Sequence, residues 1–227
     1  MPRGKQSKGK CSYCGQEMIK SKMVKHLDVC PQRQELIATG EHKKERNEIL
    51  YQLWVQDAWR IKFWLVLEMR GSATLKDLDN YLRAIWLECC GHMSRFSLGG
   101  WRGKEIPKKR QADEVFHPGI ELTHIYDFGT SSETLIKVMG KREGKSTTSR
   151  PIALMARNLT PESECIECKQ PAAWLCMECL IEDEVWGTLC EEHVKTHPHD
   201  NYGDPVPLIN SPRMGMCGYE GPAKPPY

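Results

Sequence analysis

Apolar and polar residues alternate in one stretch near the middle of the chain. Every second position from Ile61 to Met69 is apolar, and this period of two predicts a strand with one fully apolar face. Thr74 and Asp77 form a capping-box-like pair ahead of a helix whose leucines recur at three- and four-residue spacing. A strand, a helix and then several strands without regular alternation predict an α+β fold with a largely antiparallel sheet. The further strands are predicted at Arg95–Leu98, Leu122–Phe128, Thr134–Met139 and Pro151–Ala156.

The segments around these elements lack a comparable pattern. Residues 33–56 are highly charged and helix-prone with an incomplete apolar stripe, so we predict a helical connector there. The polar, basic stretches Gly99–Phe116 and Gly140–Ser149 are predicted to be loops. The predicted organisation is a basic leader and finger at 1–32, the connector at 33–56, the central domain at 57–158, a metal module at 159–204 and a Pro-rich tail at 205–227.

Cysteine and histidine are concentrated in the metal module. Two Cys-x2-Cys pairs, a Cys-x2-His pair and two more histidines supply eight donors within 35 residues. A Cys-x2-Cys turn directs two thiolates to one metal, and a tetrahedral Zn²⁺ ion takes four donors. The stretch therefore predicts two zinc sites, with the ligands Cys165, Cys168, Cys176, Cys179, Cys190, His193, His197 and His199.

A second metal pattern, Cys11-x2-Cys14-x11-His26-x3-Cys30, lies near the N-terminus, and it resembles a zinc finger of the Cys-Cys-His-Cys type. Ser21 is predicted to cap a short helix. His26 and Cys30 are four residues apart on that helix, so both side chains face the same metal. With this site the sequence predicts three Zn²⁺ ions in all, and the ligands of the third are Cys11, Cys14, His26 and Cys30.

The alternative for these cysteines is a framework of disulfides, and the predicted compartment argues against it. No apolar run approaches ~18 residues, so no transmembrane helix is predicted. The basic N-terminus lacks the apolar segment of a signal peptide, which favours the cytoplasm, where thiols stay reduced. The count of 11 cysteines is also odd. Of the three left over, Cys89 and Cys90 are predicted to be buried thiols at the end of the helix, and Cys217 has no predicted partner.

Charge is divided unevenly along a chain whose formal net charge is only +2. Residues 1–30 have seven basic residues and two acidic ones, whereas residues 160–200 have two lysines and ten acidic residues. The basic end can attract the phosphates of nucleic acid, although the same lysines also suit a solvated surface of a small folded cap. The predicted nucleic-acid contacts are Lys20, Lys22, Lys25, Lys108, Lys109 and Arg110.

No enzymatic function is predicted. The sequence has no Gly-rich phosphate loop, no His-Glu-x2-His and no Gly-x-Ser-x-Gly. The candidates for a catalytic cluster are His92, His117, His124 and Asp127. His124 and Asp127 are three apart on a predicted strand and so point to opposite faces. Each predicted zinc site has four protein ligands, whereas a catalytic zinc keeps one position open.

Several short motifs occur together along the chain: Trp59-Arg60, Thr74-Leu75-x2-Leu78, His92, Phe96, Tyr126-Asp127-Phe128-Gly129 and, in the tail, residues 210–219. They resemble the plasmid Ri open-reading-frame-three family, also labelled insertion-sequence passenger TnpR proteins, over about residues 55–220. The resemblance implies a fold and a mobile-element context, and it carries no established catalytic mechanism.

The spacing of the metal module is similar to that of the B-box family of zinc domains. That resemblance implies interleaved ligands, with Cys165, Cys168, Cys190 and His193 on one zinc and Cys176, Cys179, His197 and His199 on the other. A tandem arrangement, in which the two Cys-x2-Cys pairs share one ion, stays open. So does replacement of His199 by Asp200, because a carboxylate also binds zinc.

Two functional hypotheses follow. In the first, a non-enzymatic protein of mobile DNA contacts nucleic acid through its basic finger and loops and a protein through the acidic module. In the second, the chain is purely a protein-binding adaptor or inhibitor of a host defence or replication enzyme. In either case the zinc ions would stabilise modules of ~35 residues, which are too small to bury an adequate core.

Overall fold

A computed structural model describes residues 7–41, 46–199 and 201–226 of the chain. Its centre is a nine-stranded sheet with the order β2-β1-β9-β4-β3-β8-β7-β5-β6, and every pairing in it is antiparallel. The predicted α+β class with an antiparallel sheet is therefore confirmed. The strands are β1 Lys8–Cys11, β2 Glu17–Ile19, β3 Glu48–Asp57, β4 Trp64–Arg70, β5 Ser94–Leu98, β6 Lys104–Ile106, β7 Glu121–Tyr126, β8 Ser132–Gly144 and β9 Ile152–Asn158.

A second, three-stranded sheet in the order β11-β10-β12 joins the C-terminal metal module to the start of the tail, which supplies β12. Its strands are β10 Trp174–Cys176, β11 Gly187–Leu189 and β12 Val206–Pro207. Within the described residues, the α-helices are α1 Lys20–Val29, α2 Pro31–Glu41, α3 Leu75–Leu82, α4 Ala112–Val115 and α5 Met177–Ile181.

Strand β4 lies in the middle of the large sheet, and both of its faces are buried. Leu65 and Leu67 face the main core beneath α3, as the period of two predicts. Trp64 and Val66 face the opposite side, where they form a second core with the finger. The predicted apolar face was too long, because Ile61 precedes the strand and is 58% exposed.

Helix α3 begins as the sequence predicts. The Thr74 side chain accepts a hydrogen bond from the backbone N–H of Asp77, whose carboxylate accepts from the backbone N–H of Thr74. This capping box satisfies two amides that the first turn leaves without partners. The helix continues into a π-helical turn at Arg83–Leu87 and packs its apolar side on the sheet.

The N-terminal finger is joined directly to the large sheet, because β1 pairs with β9. Gly9 lies against Trp64, and a Cβ at this position would come within 2.2 Å of the indole ring. Only glycine allows that approach. The predicted cap at Ser21 is wrong, since α1 already starts at Lys20 and Ile19 occupies its N-cap without a side-chain bond.

The predicted helical connector is correct for α2 only and wrong from Glu48 onward, where β3 runs through the centre of the sheet. Leu50, Leu53 and Trp54 suit a helical stripe, but Tyr51, Leu53 and Val55 also alternate as a strand requires. Long-range pairing with β4 and β8 selects the strand. The central domain therefore includes residues ahead of Trp59.

Both predicted basic loops contain regular structure. Gly99–Phe116 forms edge strand β6 and helix α4, and β8 continues to Gly144 within the second segment. Polar side chains are compatible with edge strands because one side of such a strand faces solvent.

The Pro-rich tail packs into the molecule. Its anchor is Arg213, a fully buried arginine. The guanidinium donates to Asp127 Oδ2 at 2.6 Å, to the carbonyl of Thr130 at 2.9 Å and to Ser132 Oγ at 3.0 Å. It also stacks 4.8 Å from the centroid of the Tyr126 ring.

Candidate metal centres

The fold brings all four predicted ligands of the finger together. The β1–β2 hairpin supplies Cys11 and Cys14, and α1 supplies His26 and, at its C-cap, Cys30. Cys14 Sγ and His26 Nε2 are 3.3 Å apart, and the sulfurs of Cys11 and Cys30 are 4.0 Å apart. A tetrahedral Zn²⁺ ion with bonds of about 2.0–2.3 Å separates its donors by roughly 3.3–3.8 Å. The four side chains can hold such an ion.

In the C-terminal module the ligands form two interleaved groups. In the first, Cys165 Sγ lies 3.5 Å from His193 Nδ1, and the sulfurs of Cys168 and Cys190 are 3.8 Å apart. All four donor atoms of this group lie within 4.8 Å of one another. This is the set that the B-box resemblance implies, and it is not the tandem arrangement.

The second group of the module is equally compact. Cys179 Sγ lies 3.3 Å from His197 Nε2, and Cys176 Sγ lies 3.6 Å from His199 Nδ1. Gly187 is required beside this group, because a Cβ there would come within 2.7 Å of Cys179 Sγ. The alternative ligand Asp200 lies outside the described residues.

Hydrogen bonds to sulfur prepare part of these sites for a metal. Burial alone would raise the pKa of Cys165, but bonds from the backbone of Cys190, Cys168 and Glu167 lower it to about 6. Burial raises the pKa of the Cys11 thiol to about 11. Because only the thiolate is a ligand, metal binding at Cys11 releases a proton, and affinity falls as pH falls.

A fourth group of donors lies on the central domain, and the sequence pattern did not predict it. Cys89, Cys90, His92 and Cys217 place their donor atoms within 4.8 Å of one another. The expectation of two buried thiols is wrong, since Cys90 is exposed and Cys89 only half-buried. The spacing Cys89-Cys90-x-His92 could have indicated three of these donors from the sequence. The fourth donor comes from the tail, 125 residues after His92.

Three of the six residues predicted to contact nucleic acid are engaged within the protein. Burial of Lys20 lowers the pKa of its ammonium. The three contacts are Lys20 Nζ with the Trp54 ring at 5.1 Å, Lys108 Nζ with Asp79 Oδ2 at 2.9 Å, and Arg110 Nε with Glu114 Oε2 at 2.8 Å.

The remaining three, Lys22, Lys25 and Lys109, are exposed. Lys22 and Lys25 are on the finger, at the β2 edge of the sheet, whereas Lys109 follows β6 at the other edge. The two basic regions therefore do not adjoin along the sheet.

The structure brings together two of the four candidates for a catalytic cluster, His92 and Asp127, and leaves His117 and His124 apart from them. His124 is fully buried and 2.7 Å from Asp79 Oδ1, and burial lowers its pKa. His92 Nε2 lies 3.4 Å from Asp127 Oδ2, beside the fourth group of cysteines. His117 is exposed in a turn. The predicted strand was too long at this end, because β7 stops at Tyr126; His124 contacts Asp79, whereas Asp127 contacts Arg213 and His92.

A cleft of about 350 Å³ separates the β3–β4 turn from the C-terminal module. Two tryptophans line it, Trp59 with 77% and Trp186 with 40% of the residue exposed. Between them, the guanidinium of Arg60 lies 4.4 Å from the Trp186 ring and donates to the carbonyl of Pro212 at 2.5 Å. Glu182, Asp183 and Glu184 are exposed just ahead of Trp186.

Comparisons with known proteins do not name a family. No protein-family model matches the chain, and no curated protein matches it, so the family resemblance stays a prediction. Among solved structures, a protein of unknown function from Methanosarcina mazei Go1, MM3350, is similar, with 17% identity and a TM-score of 0.39. The alignment covers 46% of this chain and 66%, just under two thirds, of that one. Within the described residues, none of the helices has the length and apolar character that crossing a membrane requires.

Proposed function

We propose that this chain is a zinc protein without catalytic activity, whose N-terminal finger binds the phosphate backbone of nucleic acid. The observation that carries the proposal is a compact finger that combines a group of four Cys and His donors with several exposed lysines on its surface. The resemblance to proteins of mobile elements is consistent with DNA as the partner.

The donor sets support zinc and a stabilising role. Thiolate and imidazole in tetrahedral groups of four are the ligands of structural zinc sites. Every predicted group has four protein donors. A water or substrate would therefore have no free position on the metal, which argues for stabilisation rather than catalysis.

The finger supports phosphate contact through four lysines. Lys8 and Lys10 are exposed on β1, two residues apart, and so lie on the same face of that strand. Lys22 and Lys25 are exposed on α1, three residues apart and on one side of the helix. Helix α1 packs against β1 and β2, so the two pairs belong to one small module.

Replacing Lys22 and Lys25 with glutamine is expected to weaken binding to duplex DNA and reduce its dependence on salt. Removing one lysine–phosphate contact lowers the slope of log K against log salt by about 0.9. Fluorescence anisotropy with a labelled duplex over a series of salt concentrations measures both effects. The matched control replaces Lys104 and Lys137, two exposed lysines on β6 and β8, outside the finger. Absence of binding at low salt, or an equally large effect in the control, would contradict the proposal.

The tryptophan cleft favours a second candidate function, binding of a protein partner. Exposed aromatic side chains around a cleft are typical of interface anchors. The acidic residues beside Trp186 would favour a partner with basic groups near its apolar ones.

Under this second function, Trp59→Ala is expected to reduce affinity for the partner by roughly 30-fold or more, as loss of an anchor residue does. Capture from nuclease-treated lysate identifies the partner, and titration with the purified partner measures its affinity. Trp101→Ala removes a tryptophan with the same 40% exposure as Trp186 but outside the cleft, and should leave affinity unchanged. If the wild-type protein, Trp59→Ala and Trp101→Ala bind the partner with equal affinity, the cleft is not the surface that contacts the partner.

A further inference from the structure

The donors on the central domain have the geometry of a metal site. His92 Nε2 lies 2.9 Å from Cys90 Sγ and 3.6 Å from Cys217 Sγ. The sulfurs of Cys89 and Cys90 are 3.6 Å apart. A tetrahedral ion with bonds of about 2.0–2.3 Å requires separations of roughly 3.3–3.8 Å. The two distances of 3.6 Å fall in this range, whereas the 2.9 Å between Cys90 and His92 is shorter, so these two side chains would separate slightly to bind an ion.

Two distant parts of the chain build this group. Cys89 and Cys90 follow the π-helical turn that ends α3, and Gly91, with φ +76°, turns the chain so that His92 faces them. Cys217 comes from a short 3-10 turn in the tail and has φ +51°, a conformation that non-glycine residues rarely adopt. Such strained positions are concentrated at functional sites, where surrounding contacts maintain them.

A buried arginine lies directly beneath the group. Arg213 Nε lies 3.3 Å from Cys89 Sγ, and its Nη2 lies 3.5 Å from Cys217 Sγ. A cation at this distance stabilises thiolates and offsets the negative charge of a site with three of them. Asp127 holds the guanidinium in place, and Gly129 N–H donates to that carboxylate at 2.9 Å.

This group is open to solvent, unlike the other three. Cys90 and Cys217 are exposed, whereas each of the other groups has at least two buried cysteines. A cavity of about 510 Å³ adjoins it, with His92 in its wall. A metal held there can be reached by small chelators.

We infer that Cys89, Cys90, His92 and Cys217 form a fourth metal site, which binds a thiophilic divalent cation such as Zn²⁺ and fastens the C-terminal tail to the central domain. The ion links the segment after α3 to a tail residue far along the chain. Because the site is exposed, its ion exchanges faster than the ions of the three buried groups.

Metal counting on variants of the full chain tests the inference. Protein purified under reducing conditions should contain four zinc ions per chain, and Cys90→Ser and Cys217→Ser should each contain three. The double variant should also contain three, because both ligands serve one ion. Both cysteines are exposed, so folding is preserved, and circular dichroism checks it. Met93→Ser, an exposed neighbour outside the group, is the control and should keep four.

Release of zinc to a chelating dye provides the second measurement. Wild-type protein should lose one ion in a fast phase, and both serine variants should lack that phase while the slow release is unchanged. The inference is overturned by a wild-type content equal to that of the cysteine variants. A disulfide among these three cysteines in freshly reduced protein, found by peptide mapping, would also overturn it.

Discussion

Cys30→Ser is expected to release one metal ion and unfold the N-terminal finger. Cys30 is fully buried among Met23, Leu27 and Trp64, so a serine hydroxyl at this position would be buried away from water. The finger is too small to form an adequate core without its ion. Binding of a structural zinc contributes about 10–16 kcal/mol to folding of such a module, which is more than the finger's own packing can replace.

Hydrogen exchange resolves the consequence by element. Amides of β1 and α1 should lose protection, and β9, which pairs with β1 on one edge, should lose part of its protection. Strands β3 and β7 lie further inside the sheet and should stay protected. Val29→Ser changes the adjacent residue, which is 72% exposed, and should retain the ion and the protection. Unchanged zinc content in Cys30→Ser would show that Cys30 is not a ligand.

Arg213→Met is expected to destabilise the folded protein by about 3–5 kcal/mol. The substitution leaves Asp127, which is 5% exposed, without the cation that neutralises it. It also removes donors from Thr130 and Ser132. Because Arg213 is the buried anchor of the tail, the substitution should free the tail before the sheet unfolds.

Denaturant unfolding measures the change in free energy, and a double variant separates its causes. Arg213→Met combined with Asp127→Asn removes the unpaired charge, so it should recover part of the stability that the single variant loses. Arg102→Met, at an exposed arginine in a 3-10 turn, should change stability by less than ~0.5 kcal/mol. Equal stability of Arg213→Met and the wild-type protein would mean that the tail is held by other contacts.

The ligand groups that could be predicted from sequence are those in which neighbouring residues supply the donors. Cys11 and Cys14, or Cys165 and Cys168, indicate a shared metal through spacing alone, because the turn between them fixes their geometry. Pairing across the module, such as Cys165 with His193, came from a resemblance. Cys217 had no local signal, since only the tertiary fold brings it to His92.

The fold was predictable where the apolar residues follow a single period, either that of a helix or that of a strand. The capping box and leucine spacing of α3 and the alternation of β4 both give elements of the predicted type. Strand β3 was missed because its apolar residues satisfy two periods at once. Its identity depends on partners distant in sequence, β4 and β8.

The basic residues show a different limit. Composition gives the charge of Lys20 and Lys108, but not whether that charge is available. In the fold, Lys20 lies over an indole and Lys108 binds a buried carboxylate. A prediction of nucleic-acid contact therefore requires knowing which basic side chains are exposed, and the sequence does not identify them.

The central claim is that groups of four cysteines and histidines bind metal ions, which would stabilise the folded structure of both end modules. Elemental analysis of freshly purified, reduced protein tests it most directly. We expect three zinc ions per chain from the groups at residues 11–30 and 165–199, and a fourth if the exposed site is also filled. Protein without zinc, or with those sulfurs joined as disulfides, would contradict the claim.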